Sequence, residues 1–122
     1  MRIINWFQIP ATDIDRAVKF YEEVFKVGFH RMDHMGDKHA FFALDTLETL
    51  RTGGEIVQSP HNQPSREGVL IYLGAQEGVD AVLSRAEKAG GQILMTKTSI
   101  GENGFIGLIL DTEGNRIGVH SM

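Results

Sequence analysis

The atoms from which this chain could build a site come mainly from five histidines, a glutamate next to a glycine pair, and a glutamine on an expected strand. His30 and His34 share one face of an expected strand and His39 lies across a hairpin turn, the donor types of a three-histidine metal site. The expectation preferred over such a site is that histidines around an exposed hairpin are solvated at the surface. His61 falls in a linker that could cross the mouth of a cleft, and His120 lies on the last expected strand. Arg116 offers a fork for a carboxylate or phosphate, or a solvated charge beside a turn. Trp6 and Tyr72 present flat faces that could stack on a ligand or simply pack the sheet. There is no cysteine, hence no thiolate metal site, thiol nucleophile or disulfide. No Gly-x-Ser-x-Gly elbow, phosphate-binding glycine loop or His-Glu-x-x-His stretch occurs, and Gly101-Glu102-Asn103-Gly104 reads as a loop rimming a cleft.

The elements that must position these residues show in the periodicity. Residues Arg2 to Ile9 alternate with period two and predict a strand ended by Pro10. Thr12 and Asp15 form a capping box for a helix whose apolar stripe is Ile14, Ala17, Val18, Tyr21, Val24 and Phe25, broken by Gly28. Strands are expected over Phe29 to His34 and His39 to Leu44, joined through Met35-Gly36-Asp37-Lys38, and over Glu55 to Gln58 after Gly53-Gly54. The turn-forming stretch 59–67 reads as a linker. The order then returns: a strand from Val69 to Gly74, a helix marked by Val79, Val82, Leu83, Ala86 and Ala89, then strands over Gln92 to Thr98, Phe105 to Leu110 and Arg116 to Ser121. Asp111-Thr112-Glu113-Gly114-Asn115 is the turn between the last two.

Two βαβββ modules, about 1–58 and 68–122, therefore predict one α+β domain with helices outside and a mixed sheet curving around a cleft. The odd positions Ile3, Phe7, Ile9, Val69, Ile71, Leu73, Ile117 and Val119 should face the helices. The even positions Trp6, Gln8, Leu70, Tyr72, Arg116, Gly118 and His120 should face the cleft, a mixed aromatic and polar lining suited to a small molecule, the alternative being the solvated side of an antiparallel sheet. The 122 residues fit one domain, with 42% hydrophobic and 23% charged residues. The net charge of -4 and the scattered twelve Lys and Arg argue against nucleic acid. The sequence shows neither a signal-peptide pattern nor a membrane-length apolar run, so a cytoplasmic protein away from membranes is the expectation.

Three stretches carry a family resemblance: Trp6 to Pro10 followed by Asp13 to Tyr21, Gly68 to Leu73 with the helix ending at Ala89-Gly90-Gly91, and Asp111 to Gly118. With Gly53-Gly54 they run in order over most of the chain, which resembles the vicinal oxygen chelate superfamily (glyoxalase, bleomycin resistance protein, extradiol dioxygenase), in its small glyoxalase-like branch. The resemblance implies a cleft, commonly a homodimer, and in the enzymes a divalent metal held by His, Gln or Glu on the first, fourth, fifth and eighth strands. Carried onto this chain, those positions fall on Trp6, on or near Glu55, on Leu70 and on Gly118. Indole donates but does not ligate, and Leu and Gly bring no donor atom. The resemblance thus implies binding of a small organic molecule, with Trp6, Gln8, Glu55, Leu70, Tyr72, Gly118 and His120 as the pocket and no metal cofactor. The alternative is a metal-dependent lyase, isomerase or dioxygenase holding Zn, Ni, Fe or Mn at a displaced set, Gln8, Glu55 and His120.

Overall fold

Alternating strands and striped helices produce the same order of elements twice. The computed structural model describes residues 3–43 and 53–122. The first half contains β1 (Trp6–Pro10), α1 (Ile14–Phe25), β2 (Gly28–His34), β3 (Asp37–Ala43) and β4 (Gly53–Gln58). The second contains β5 (Tyr72–Gly74), α2 (Val79–Lys88), β6 (Gln92–Ser99), β7 (Phe105–Leu110) and β8 (Arg116–Ser121). They form two four-stranded sheets, ordered β1-β4-β3-β2 and β5-β8-β7-β6. In each sheet the outer pair, β1 with β4 and β5 with β8, is parallel and the other pairs are antiparallel. The fold is α+β, and the sheets do not close into a barrel. No helix among the described residues is long and apolar enough to cross a membrane.

Each helix lies on its own sheet, and the two helices pack together. Ile9, Ala40 and Ile56 meet Ile14, Ala17, Tyr21 and Val24 on one side, and Ile109, Ile117 and Val119 meet Val79, Val82 and Ala86 on the other. Each fully buried Ile or Val here contributes about 1.5–3 kcal/mol. Phe20, absent from the expected stripe, is buried as well, because it faces α2 rather than its own sheet's centre; a Cβ on Gly91 would lie 2.8 Å from its ring.

Several boundaries differ from the sequence reading. Ile3 and Val69, expected against the helices, are 94% and 92% exposed. The ladders start only at Trp6↔Gly53 and Tyr72↔Gly118, so both residues precede the covered part of their sheets. The hairpin turn is shorter than expected: Met35 and Gly36 alone make it, with φ of 51° and 85°, the left-handed pair that matches strand twist. Asp13, not Thr12, caps α1, accepting from the Arg16 N–H at 3.1 Å. Expected Leu44 and the polar stretch 45–52 lie outside the described residues.

Thr12 is drawn away from the cap by the second half of the chain. Its N–H and hydroxyl donate to Glu113 Oε1 at 2.9 and 3.1 Å, the Asp13 N–H donates to the same oxygen at 2.9 Å, and Arg16 grips Oε2 through Nε at 2.7 Å. Glu113 therefore caps a helix of the other module, where the helix dipole favours a negative charge. Beside it, buried Asp111 accepts from the Tyr21 hydroxyl at 2.6 Å, from Asn115 Nδ2 and N at 2.9 Å each, and from the Glu113 N–H at 2.9 Å. Asn115 Nδ2 also donates to the Pro10 carbonyl at 2.7 Å. The turn Asp111 to Asn115 thus fastens module two to both ends of the β1–α1 connection.

These contacts move the acids in opposite directions. Burial raises the Asp111 carboxyl above its ordinary range, only partly offset by Tyr21 and Asn115. For Glu113 burial also acts upward, but the Arg16 guanidinium and the Asp13 and Thr12 donors outweigh it and hold the group at about 2, against an ordinary 4.5. A depressed folded value means stabilisation that is complete above pH 4.5 and lost as pH falls through about 2. Glu113→Gln should therefore cost about 1–3 kcal/mol near neutrality, with the gap to wild type closing as the acid is titrated. Urea unfolding at a series of pH values checks this, and a gap that stays constant down to acid pH contradicts it.

Candidate functional site

Strand register decides which side chains share the face turned away from the helices. In the first sheet Gln8 pairs with Glu55, Pro10 with Val57, Phe41 with Glu55 and His39 with Val57. Paired residues point to one side and alternate positions follow, so Trp6, Gln8, His39, Phe41 and Glu55 lie together, opposite Ile9, Ala40 and Ile56 in the core. Glu55 is 5% exposed, and its carboxylate is filled by this face. Oε2 accepts from Trp6 Nε1 at 2.8 Å and from Gln8 Nε2 at 3.5 Å, and Oε1 meets His39 Nδ1. The His39 ring lies parallel to Phe41 at 6.1 Å, and Trp6 tilts against Phe41 at 5.8 Å.

In the second sheet Tyr72 pairs with Gly118 as Gln8 pairs with Glu55. The Tyr72 ring lies over the glycine, where an added Cβ would come within 2.3 Å of it. Leu70 precedes the ladder, half-buried, and His120 gives Nε2 to the Asn103 carbonyl at 2.6 Å. The candidate residues therefore divide. Trp6, Gln8 and Glu55 form one connected group, Tyr72 and Gly118 a second, and His120 has its own partner at the other end of β8.

Between the halves lies a cavity of about 250 Å³ whose wall includes Gln8, Gln63, Ser65, Ile71, Asn115 and Arg116. The linker reaches it: Asn62 Nδ2 donates to Gln8 Oε1 at 3.4 Å, and the Ser65 N–H donates to Asn115 Oδ1 at 3.1 Å. Arg116 donates to the Gly68 carbonyl at 3.0 Å, while its buried Nε has no partner. His61 is exposed in that linker.

The side chains present do not fit the metal centre that the fold implies. Leu70 and Gly118 bring no donor, and Trp6 occupies a Glu55 oxygen instead of ligating. Among the described residues no group of three or more His, Cys, Asp or Glu could hold a metal ion. The expected hairpin histidines do not gather either: His30 and His34 are exposed, opposite Phe41 and Asp37. His39 was expected with them at the surface, yet its side chain is only 17% exposed and is held by Glu55. The signal lay in the alternation of His39 with Phe41, but only the pairing of β3 with β4 reveals that Glu55 shares their face.

Gly118→Ala should destabilise the fold by about 1–3 kcal/mol, because the new methyl group displaces the Tyr72 ring. Adding Tyr72→Ala should recover part of that loss. Thermal melts of the two single variants and the double test the coupling, and strict additivity would disprove the contact.

Comparison with known proteins follows the same outline. The family model for the Glyoxalase/Bleomycin resistance protein/Dioxygenase superfamily matches residues 3–119. CFP32 of Mycobacterium bovis, a glyoxylase by name, is 28% identical over 119 residues, covering 94% of this chain and 44% of its own. The chain thus spans less than half the length of that relative. A glyoxylase/bleomycin resistance protein/dioxygenase domain from Frankia sp. EAN1pec superposes with a TM-score of 0.74 at 13% identity, covering 98% of this chain and 97% of that one. The fosfomycin resistance protein FosX of Listeria monocytogenes gives 0.70 at 15% identity, with 100% and 91% covered. Those identities carry the fold alone, but the family match spans nearly the whole chain: it belongs to the Glyoxalase/Bleomycin resistance protein/Dioxygenase superfamily.

Proposed function

We propose that this chain is a glyoxalase-like protein of a single domain that binds a small organic molecule in its cleft without the metal centre of the family's enzymes. The observation that carries the reading is the state of Glu55. It is the one carboxylate at a family ligand position, and Trp6, Gln8 and His39 fill it from within the chain. A divalent ion needs about three or four well-placed donors, and here it would have to displace those partners first. Trp6 and Tyr72, 47% and 46% exposed, supply flat surfaces for a ligand, and a cavity whose wall includes neither ring lies beside Gln8. The second reading, metal chemistry at Gln8, Glu55 and His120, has the Gln8–Glu55 contact in its favour.

Elemental analysis of protein purified without a metal-affinity tag, followed by calorimetric titration with Zn, Ni, Fe and Mn, separates the two. No stoichiometric metal is expected. Near-stoichiometric metal lost in Glu55→Ala or His120→Ala would overturn the reading. A ligand found by native mass spectrometry should change the emission of Trp6, the single tryptophan, and Trp6→Ala should weaken its binding by about 1–3 kcal/mol. Unchanged emission and affinity would assign Trp6 to packing alone.

The same reading includes a homodimer as the working unit. Ile3, Ile4 and Val69 expose apolar surface just ahead of β1 and β5, at matching places in the two halves. Light scattering at micromolar concentration should give twice the 13.6 kDa chain mass. A monomer mass independent of concentration would remove the dimer.

A further inference from the structure

The cavity between the two halves holds a charge that the chain leaves unanswered. Arg116 is the one cation in its wall among the described residues. The ion pairs formed among those residues are Arg16–Glu113, Arg31–Asp15, His39–Glu55 and Arg85–Glu77, and none includes it. Its Nη2 donates to the Gly68 carbonyl at 3.0 Å, which steadies the guanidinium. Nε is buried without a partner, and Nη1 makes no hydrogen bond among the described residues. A partly buried charged donor left short of acceptors is costly, and an acceptor from outside the chain relieves it. The wall around it is built rather than loose. Buried Asn115 is held by Asp111 and the Pro10 carbonyl and accepts the Ser65 N–H, so the linker is fixed at the cavity by the same polar network that joins the modules.

We propose that this cavity binds a small monocarboxylic acid, its carboxylate on the Arg116 guanidinium and its apolar body against Pro10, Ile71 and Ile117. This rests on the small-molecule reading above and gives the ligand a chemical class and a seat. A carboxylate brings two oxygens in one plane, which suit guanidinium N–H groups and supply the missing negative charge. Size points the same way. The volume of about 250 Å³ lies below the roughly 300–1,000 Å³ of sites for drug-sized ligands, so the body is a short chain or a single ring. Glu67 sets the limit on charge. It is the one carboxylate of the wall, exposed to solvent and not paired with Arg116. A dianion such as phosphate meets that like charge twice over, whereas a singly charged acid meets it once and through water.

The test is fluorine NMR of para-fluorobenzoate titrated with the full chain at neutral pH, beside para-fluorobenzamide, an uncharged molecule of nearly the same shape. The expected result is broadening of the acid's resonance, reversed by unlabelled benzoate or butyrate, with the amide bound about tenfold more weakly. Orthophosphate should displace the acid poorly. Arg116→Gln should weaken binding of the acid about tenfold and leave that of the amide unchanged, and Glu67→Gln should tighten binding of the acid. Equal binding of acid and amide, or acid binding that survives Arg116→Gln, overturns the proposal and leaves the small-molecule reading intact. Displacement by phosphate as effective as by benzoate overturns the carboxylate class in favour of a general anion site. If neither compound broadens up to its solubility limit, the acid class falls, and the ligand search by native mass spectrometry alone decides the binding reading. Comparison of acid with amide uses the wild-type chain, so the outcome does not depend on any variant folding.

Discussion

A buried carboxylate held by hydrogen-bond donors, with no direct ion pair among the described residues, ties this molecule together. Asp111 lies out of water, and it is accommodated only because four donors converge on it: the Tyr21 hydroxyl, two groups of Asn115 and the Glu113 N–H. The turn supplies three of them, and the fourth comes from α1 in the other half of the chain. Leaving a buried acceptor short of donors costs on the order of 1–3 kcal/mol, so the second half settles best when α1 is already in place. Tyr21 reads the same bond from its own side, since burial and the Asp111 charge push its phenol well above the usual range. Asn115 extends the tie to the Pro10 carbonyl and the linker at Ser65. Through Asn115 the same network reaches the wall of the cavity that Gln8 and Arg116 also line.

The two modules share one plan and use it differently. At the register where module one places Gln8 beside Glu55, module two places Tyr72 beside Gly118. One sheet therefore shows the cleft a polar group already satisfied by its own neighbours, and the other shows it a phenol ring. Such a division suits recognition, in which shape and one directed polar contact decide what is held. It suits coordination poorly, since ligands drawn from both sheets would have to converge on one point.

Most of the architecture was legible in the sequence because it rests on local periodicity. The period-two runs and helical stripes gave ten elements in the right order, and β7 and β8 with their observed ends. Misplaced boundaries share a cause: alternation continues into Ile3 and Val69, but coverage begins only where a partner strand starts. The site was legible less evenly. Trp6, Gln8 and Glu55 come together on one sheet face, whereas the contact of His39 with Glu55 was hidden because it depends on the pairing of β3 with β4. The work of Asp111, Glu113 and Asn115 was hidden for a related reason. Their residue types are those of any turn, and only the packing of one module on the other turns them into a helix cap and a clasp.

Tyr72 lying over Gly118 also limits where this lineage can go in sequence space. A donor side chain at 118, as in the family's metal enzymes, has no room while the ring stays in place, and removing the ring first uncovers part of the cleft wall. Either order of the two changes passes through an intermediate poorer than its parent. A side chain with a donor atom at this position therefore requires the Tyr72 ring to move as it arrives.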